Sequence, residues 1–90
     1  MAIKPTVGRV VWFYERAGQR EAGEQPFAAL IAHVWGDNCI NIAWFDRDGN
    51  SHSRTSVWLS QEEGDERGRG SFCAWMPFQI SQAKAAAPAA

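Results

Sequence analysis

The sequence predicts an all-β domain, either a small five-stranded SH3-like barrel or a strongly bent antiparallel meander. Three observations predict it. Runs rich in β-branched and aromatic residues recur at short intervals and are divided by turn residues. Asp46-Arg47-Asp48-Gly49-Asn50 is a strong hairpin turn, because Asp-Gly supplies the positive φ that tight hairpins require. Closing a handful of short strands into a barrel also removes exposed edges, so closure is the economical arrangement. An OB-like barrel would give a similar pattern.

Residues 1–6 read as a lead-in, residues 7–79 as the single β domain, and residues 80–90 as a flexible Ala-rich tail. Val7 to Tyr14 has strand composition. Residues 15–26 turn polar, contain Gly18 and Gly23, and read as a loop long enough to carry function. Phe27 to Trp35 is apolar apart from His33. Its Ala28, Ala29, Leu30 and Ala32 suit a helix as well as a strand, and periodicity does not decide between them. The strand is preferred because Gly36-Asp37-Asn38 makes a hairpin turn into Cys39 to Phe45, which has clear β character.

Alternation places Phe27, Ala29, Ile31, His33 and Trp35 on one face of that strand, and Ile40, Ile42 and Trp44 on one face of the next. From Ser51 to Leu59, the pattern puts His52, Arg54, Ser56 and Trp58 opposite Ser53, Thr55, Val57 and Leu59. Residues 60–71 form a second charged, Gly-rich loop, in which Glu62, Glu63, Asp65 and Glu66 mix with Arg67 and Arg69. Phe72 to Phe78 reads as a last short strand that Pro77 confines to an edge or an end.

Composition narrows the partners. Hydrophobic residues make up 46% of the chain, enough for an efficient core in so small a domain. A net charge of −1 and a pI near 6.1 argue against attachment to duplex DNA or an anionic membrane, which depends on clustered Lys and Arg. No segment approaches the roughly 18 apolar residues of a membrane span. The opening residues lack an apolar h-region, and Cys39 and Cys73 form no C-x-x-C, so a cytosolic domain with reduced thiols is expected.

Five Trp are more than a core of this size needs. Trp12, Tyr14 and Trp44 beside Arg9, Arg54, His33 and His52 would make a stacking and hydrogen-bonding site for a base or nucleotide. The same rings serve equally well as core or cross-strand partners. Arg54 is flanked by Ser53, Thr55 and Ser56, the company expected of a phosphate contact, although an edge strand also carries such residues outward. His33, Cys39, His52 and Cys73 match no compact zinc spacing, and no cofactor is expected. Nothing marks a nucleophile elbow or a phosphate-cradling loop, so the reading is a protein that is not an enzyme.

The segments Lys4 to Tyr14 (with Gly8-Arg9-Val10-Val11), Ala28 to Ala32, and Ser71 to Pro77 (with the closing Trp75-Met76-Pro77) together resemble a family of small uncharacterised bacteriophage and prophage proteins. The resemblance covers most of residues 4–79, and its motifs are structural rather than catalytic. It implies a viral product acting in the host bacterial cytoplasm by binding. The leading expectation is a nucleotide-like small molecule, such as a host immune signal that the protein sequesters, held between subunits of a homo-oligomer. The alternative is an SH3-like module that inhibits a host protein or joins a phage assembly. Single-stranded nucleic acid is disfavoured by the acidic pI.

Overall fold

The computed structural model describes residues 3–16, 18–20, 22–62 and 70–86. It contains strands β1 (Val10–Tyr14), β2 (Phe27–Gly36), β3 (Cys39–Phe45), β4 (Ser51–Ser60) and β5 (Phe72–Ala74), followed by helix α1 (Pro77–Ala86). The strands close in chain order into one barrel, with β5 returning to pair with β1. This is the SH3-like architecture expected from the sequence. An odd-numbered meander that closes on itself must contain one parallel pair, and here it is β4 with β5. A parallel pair needs a long connection. The second charged loop supplies it, although residues 63–69 lie outside the described residues.

β2 is a strand and not a helix, hydrogen-bonded to β1 on one side and β3 on the other. Inward positions Val11, Phe13, Ala29, Ile31, Ile40, Ile42, Trp44, Val57, Leu59 and Cys73 form the core. Trp75 and Ile3 close one end, so the described part of the lead-in packs onto the core at Ile3. A second, smaller cluster lies on the outer surface of β1 and β5, where Tyr14, Phe72 and Ala74 are buried with Trp12 and Trp58 packed against them. The turn after β3 has Gly49 at φ 85°, as its Asp-Gly step demands.

Three expectations need correction. In β2, register shifts after Ile31 and after Val34 break the alternation. Val34 therefore takes the inward place opposite Ile40, and His33 and Trp35 are exposed. In β4, Thr55 and Ser56 together lie opposite the single residue Asn41, between the pairs Arg54–Ile42 and Val57–Ile40. This bulge, with Ser56 at φ 53°, lets Arg54, Val57 and Leu59 share the inward side, which strict alternation forbade. Finally, the last strand stops at Ala74, and Pro77 opens a helix that runs through Ala86 into the predicted tail. Proline suits the first helical position. Gln79 Oε1 then accepts the Met76 backbone N–H at 2.9 Å, half of a capping box. Residues 87–90 lie outside the described residues.

Candidate functional site

The barrel has one end that is only loosely closed. β5 meets β4 at Trp58–Ser60 alone, so the first half of β4 pairs only with β3 among the described residues. The gap is a cleft of about 480 Å³ lined by Ser53, Arg54, Thr55, Ser56, Val57 and Ser71. Arg54 lies across it. Its Nη1 donates to Ser71 Oγ at 2.8 Å, and its guanidinium sits 5.7 Å from the centre of the Phe13 ring. The bulge is what turns this arginine toward the interior, because Arg54 pairs with core residue Ile42.

Two residues earlier on the same face, His52 pairs with Trp44 and stacks on it at 4.3 Å and 19°. His52 Nε2 lies 2.9 Å from Asp46 Oδ2. Asp46 Oδ1 accepts the backbone N–H groups of Asp48 at 2.9 Å and Asn50 at 3.0 Å, so the turn aims its carboxylate at the imidazole. The His52 hydrogen bond, together with those from Asn50 and Asp48, holds the Asp46 carboxyl down at about 2. Beneath this rim Phe13, Phe27 and Trp44 pack with centroid distances of 5.0 to 6.5 Å.

Beside the rim lies a second cavity of about 530 Å³ between the 15–26 loop and the 46–50 turn, with Glu15, Pro26, Phe27, Asp46 and Arg47 in its wall. Buried Gln19 braces that loop, its Oε1 accepting from Glu15 N at 2.9 Å and its Nε2 donating to Gln25 O at 2.9 Å. An Arg16–Glu24 ion pair spans the same loop.

Of the seven residues singled out from sequence, Trp44, His52 and Arg54 come together here. Arg9 does not: it lies over Trp75 at 5.2 Å, with Nη1 reaching Lys4 O at 3.4 Å. Trp12 and Tyr14 belong to the outer cluster, where Tyr14 stacks on Phe72 at 5.0 Å. His33 is on the outer surface, edge-on to Trp35 at 4.5 Å. The sequence reading missed Asp46, Ser71, Phe13 and Phe27. Asp46 had a signal, since Asp opening a turn caps its own backbone. Ser71 had none, because its pairing with Arg54 spans 17 residues of chain.

Chemically, the rim offers a cation, an imidazole and several hydroxyls over an aromatic floor. Among the described residues no Ser, Thr or Cys hydrogen-bonds His52, and no three His, Cys, Asp or Glu side chains group as metal ligands. Burial pushes the Cys73 thiol up to about 12, which makes it an inert core residue. Among the described residues no helix is long and apolar enough to cross a membrane.

Among the described residues these features define a small SH3-like barrel with one stitched end and one open, polar-rimmed end. Compared with known proteins, the chain matches no family model, no curated protein and no solved structure.

Proposed function

We propose that the protein is a non-enzymatic binding module that holds a phosphate-bearing, nucleotide-like small ligand at the open end of the barrel. One observation carries this reading: among the described residues Arg54 is the single Asp, Glu, Lys or Arg on any strand, and it is turned into a cleft rimmed by hydroxyls. Ser71 takes one guanidinium donor, and the other nitrogens have no partner among the described residues. A planar fork of donors suits a phosphate, and Ser53, Thr55 and Ser56 supply hydroxyls around it. The His52 ring, about 7 Å along the strand, offers a flat face to a base.

The magnitudes set the expected strength. A charge-assisted contact contributes about 1.5–3 kcal/mol and base stacking about 1–3 kcal/mol. Together they give a dissociation constant between roughly ten millimolar and tens of micromolar for one subunit. Trp12, Tyr14 and Trp44 are occupied in packing, so tighter binding would need a second subunit to complete the pocket. In the phage setting that the resemblance implies, such a protein would sequester a nucleotide signal in the host cytoplasm. Calorimetric titration with linear and cyclic nucleotides tests this. Heat that disappears in Arg54→Ala is expected, and no heat with any nucleotide would sink the reading.

A second reading rests on a different observation. The edge of β4 from Ser51 to Val57 has no strand beside it among the described residues. An extended segment of a host protein could add there through backbone hydrogen bonds and set an acidic side chain on Arg54. Heat with a Glu-containing extended peptide, and none with nucleotides, would favour this module.

A further inference from the structure

The outer face of the barrel is unusual for what it lacks. Antiparallel sheets that face water normally alternate apolar-in with polar or charged-out. The chain has 19 Asp, Glu, Lys and Arg residues in total, yet the outward positions of β1, β2 and β3 carry none. The pairing aligns them in rows. Val10 lies beside Leu30, which lies beside Ala43, and Trp12 lies beside Ala28, which lies beside Phe45. Val10 and Leu30 are 40% and 38% exposed. At the far end of β2, Trp35 is 64% exposed, although its Nε1 already donates to Asn41 Oδ1 at 2.9 Å. Its polar atom is satisfied within the chain, and its apolar ring is left in water.

We propose that this face is the interface of a homodimer, its occupant being the same face of a second copy. Two features favour a copy over any other partner. The rows from Val10 to Ala43 and from Trp12 to Phe45 carry no formal charge, the nearest guanidinium being that of Arg20 over Tyr14 at the β1 end, so they offer nothing to attract a charged partner and nothing to repel a copy. Its relief is also self-complementary. Leu30 stands as a knob between the low positions Ala28 and Ala43, so a two-fold axis seats each Leu30 over the partner's alanines. The uncharged area, three strands about 4.8 Å apart and about seven to eight residues long, is roughly 350–400 Å² per copy. Doubled, that falls below a standard specific interface, so the dimer is a weak, reversible one, with Trp35 as its anchor.

Sedimentation of the full chain over a concentration series tests the proposal, using the wild type, Leu30→Glu, Trp35→Glu and the turn variant Asp48→Lys. A concentration-dependent dimer is expected in the wild type and in Asp48→Lys, weakened at least about tenfold in each face variant. Isotope-filtered methyl contacts between differently labelled wild-type copies, linking Leu30 to Ala28 or Ala43, give the same answer without relying on a variant's folding. A wild type that stays monomeric up to about 1 mM would overturn the proposal. So would a dimer that both face variants leave intact, or one whose contacts map elsewhere. Nucleotide binding is read separately, through Arg54→Ala, so neither proposal depends on the other.

Discussion

The two ends of the barrel solve the same problem in opposite ways. At the end near the N-terminus, one amide holds the structure together. Gln61 Oε1 accepts from Ile3 N at 2.9 Å and from Trp75 Nε1 at 3.0 Å, while its Nε2 donates to Ile3 O at 2.9 Å and Asp37 O at 2.8 Å. Asn38 adds reciprocal bonds with Leu59, both at 2.9 Å. Both lone pairs and both N–H groups of Gln61 are used, so nothing is left to offer a ligand. At the other end, Arg54 and His52 are each tied by one polar bond and remain exposed. At one end the polar capacity of Gln61 is spent on stability, and at the other Arg54 and His52 keep part of theirs available.

Substitutions should separate the two ends. The largest effect is expected at the closed end: Gln61→Ala strands several half-buried groups and should cost about 3 kcal/mol in denaturant unfolding. For a domain this size that lowers Tm by about 10–20 °C, and it should leave nucleotide titration unaltered at temperatures where the chain is folded. Acid comes next. The folded Asp46 carboxyl sits near 2, below the ordinary 3.8. A depressed carboxylate contributes stability above its unfolded value and loses it as pH falls through the folded one. The open end should therefore lose stability between about pH 4 and pH 2, and Asp46→Asn should flatten that acid limb in a melting series.

A smaller effect of opposite sign is expected at Ser56. Its left-handed backbone suits glycine, so Ser56→Gly should gain up to about 1 kcal/mol, less glycine's entropy in the unfolded chain. The smallest change in stability is expected for Arg54→Ala, within about 0.5 kcal/mol, while anion binding is lost. A loss of stability as large as that of Gln61→Ala would mean the two ends are structurally alike.

Much of the fold was legible because strand composition and turn chemistry agree locally. Cys39–Phe45 and its buried Ile40, Ile42 and Trp44 follow directly from alternation, and Asp48-Gly49 marks the hairpin. The bulges were not legible. Nothing in Ala32 or in Thr55-Ser56 announces an extra residue, since a bulge is set by barrel curvature and by the partner strand. That single uncertainty misplaced His33 and Trp35 and left the Arg54 side of β4 ambiguous. The helix did have a signal, Pro77 followed by Gln79 and an Ala-rich run, but the strand reading of Phe72 to Phe78 absorbed it. Trp12 and Tyr14 look like spare rings in the sequence, yet their outer cluster with Phe72 and Trp58 depends on a long-range pairing that no local pattern encodes.

Barrel closure also sets a timetable. Ile3 is joined to Gln61 across 58 positions, and Gln79 Nε2 reaches back 69 positions to the Val10 carbonyl at 2.8 Å. The first four strands can pair as they are synthesised, but β1 gains its second neighbour only after β5 has left the ribosome. Until then β1 presents a bare edge, and the core lacks Cys73 and Trp75. The domain therefore folds as a late, whole-chain event governed by long-range contacts, with closure on the order of milliseconds to seconds rather than microseconds.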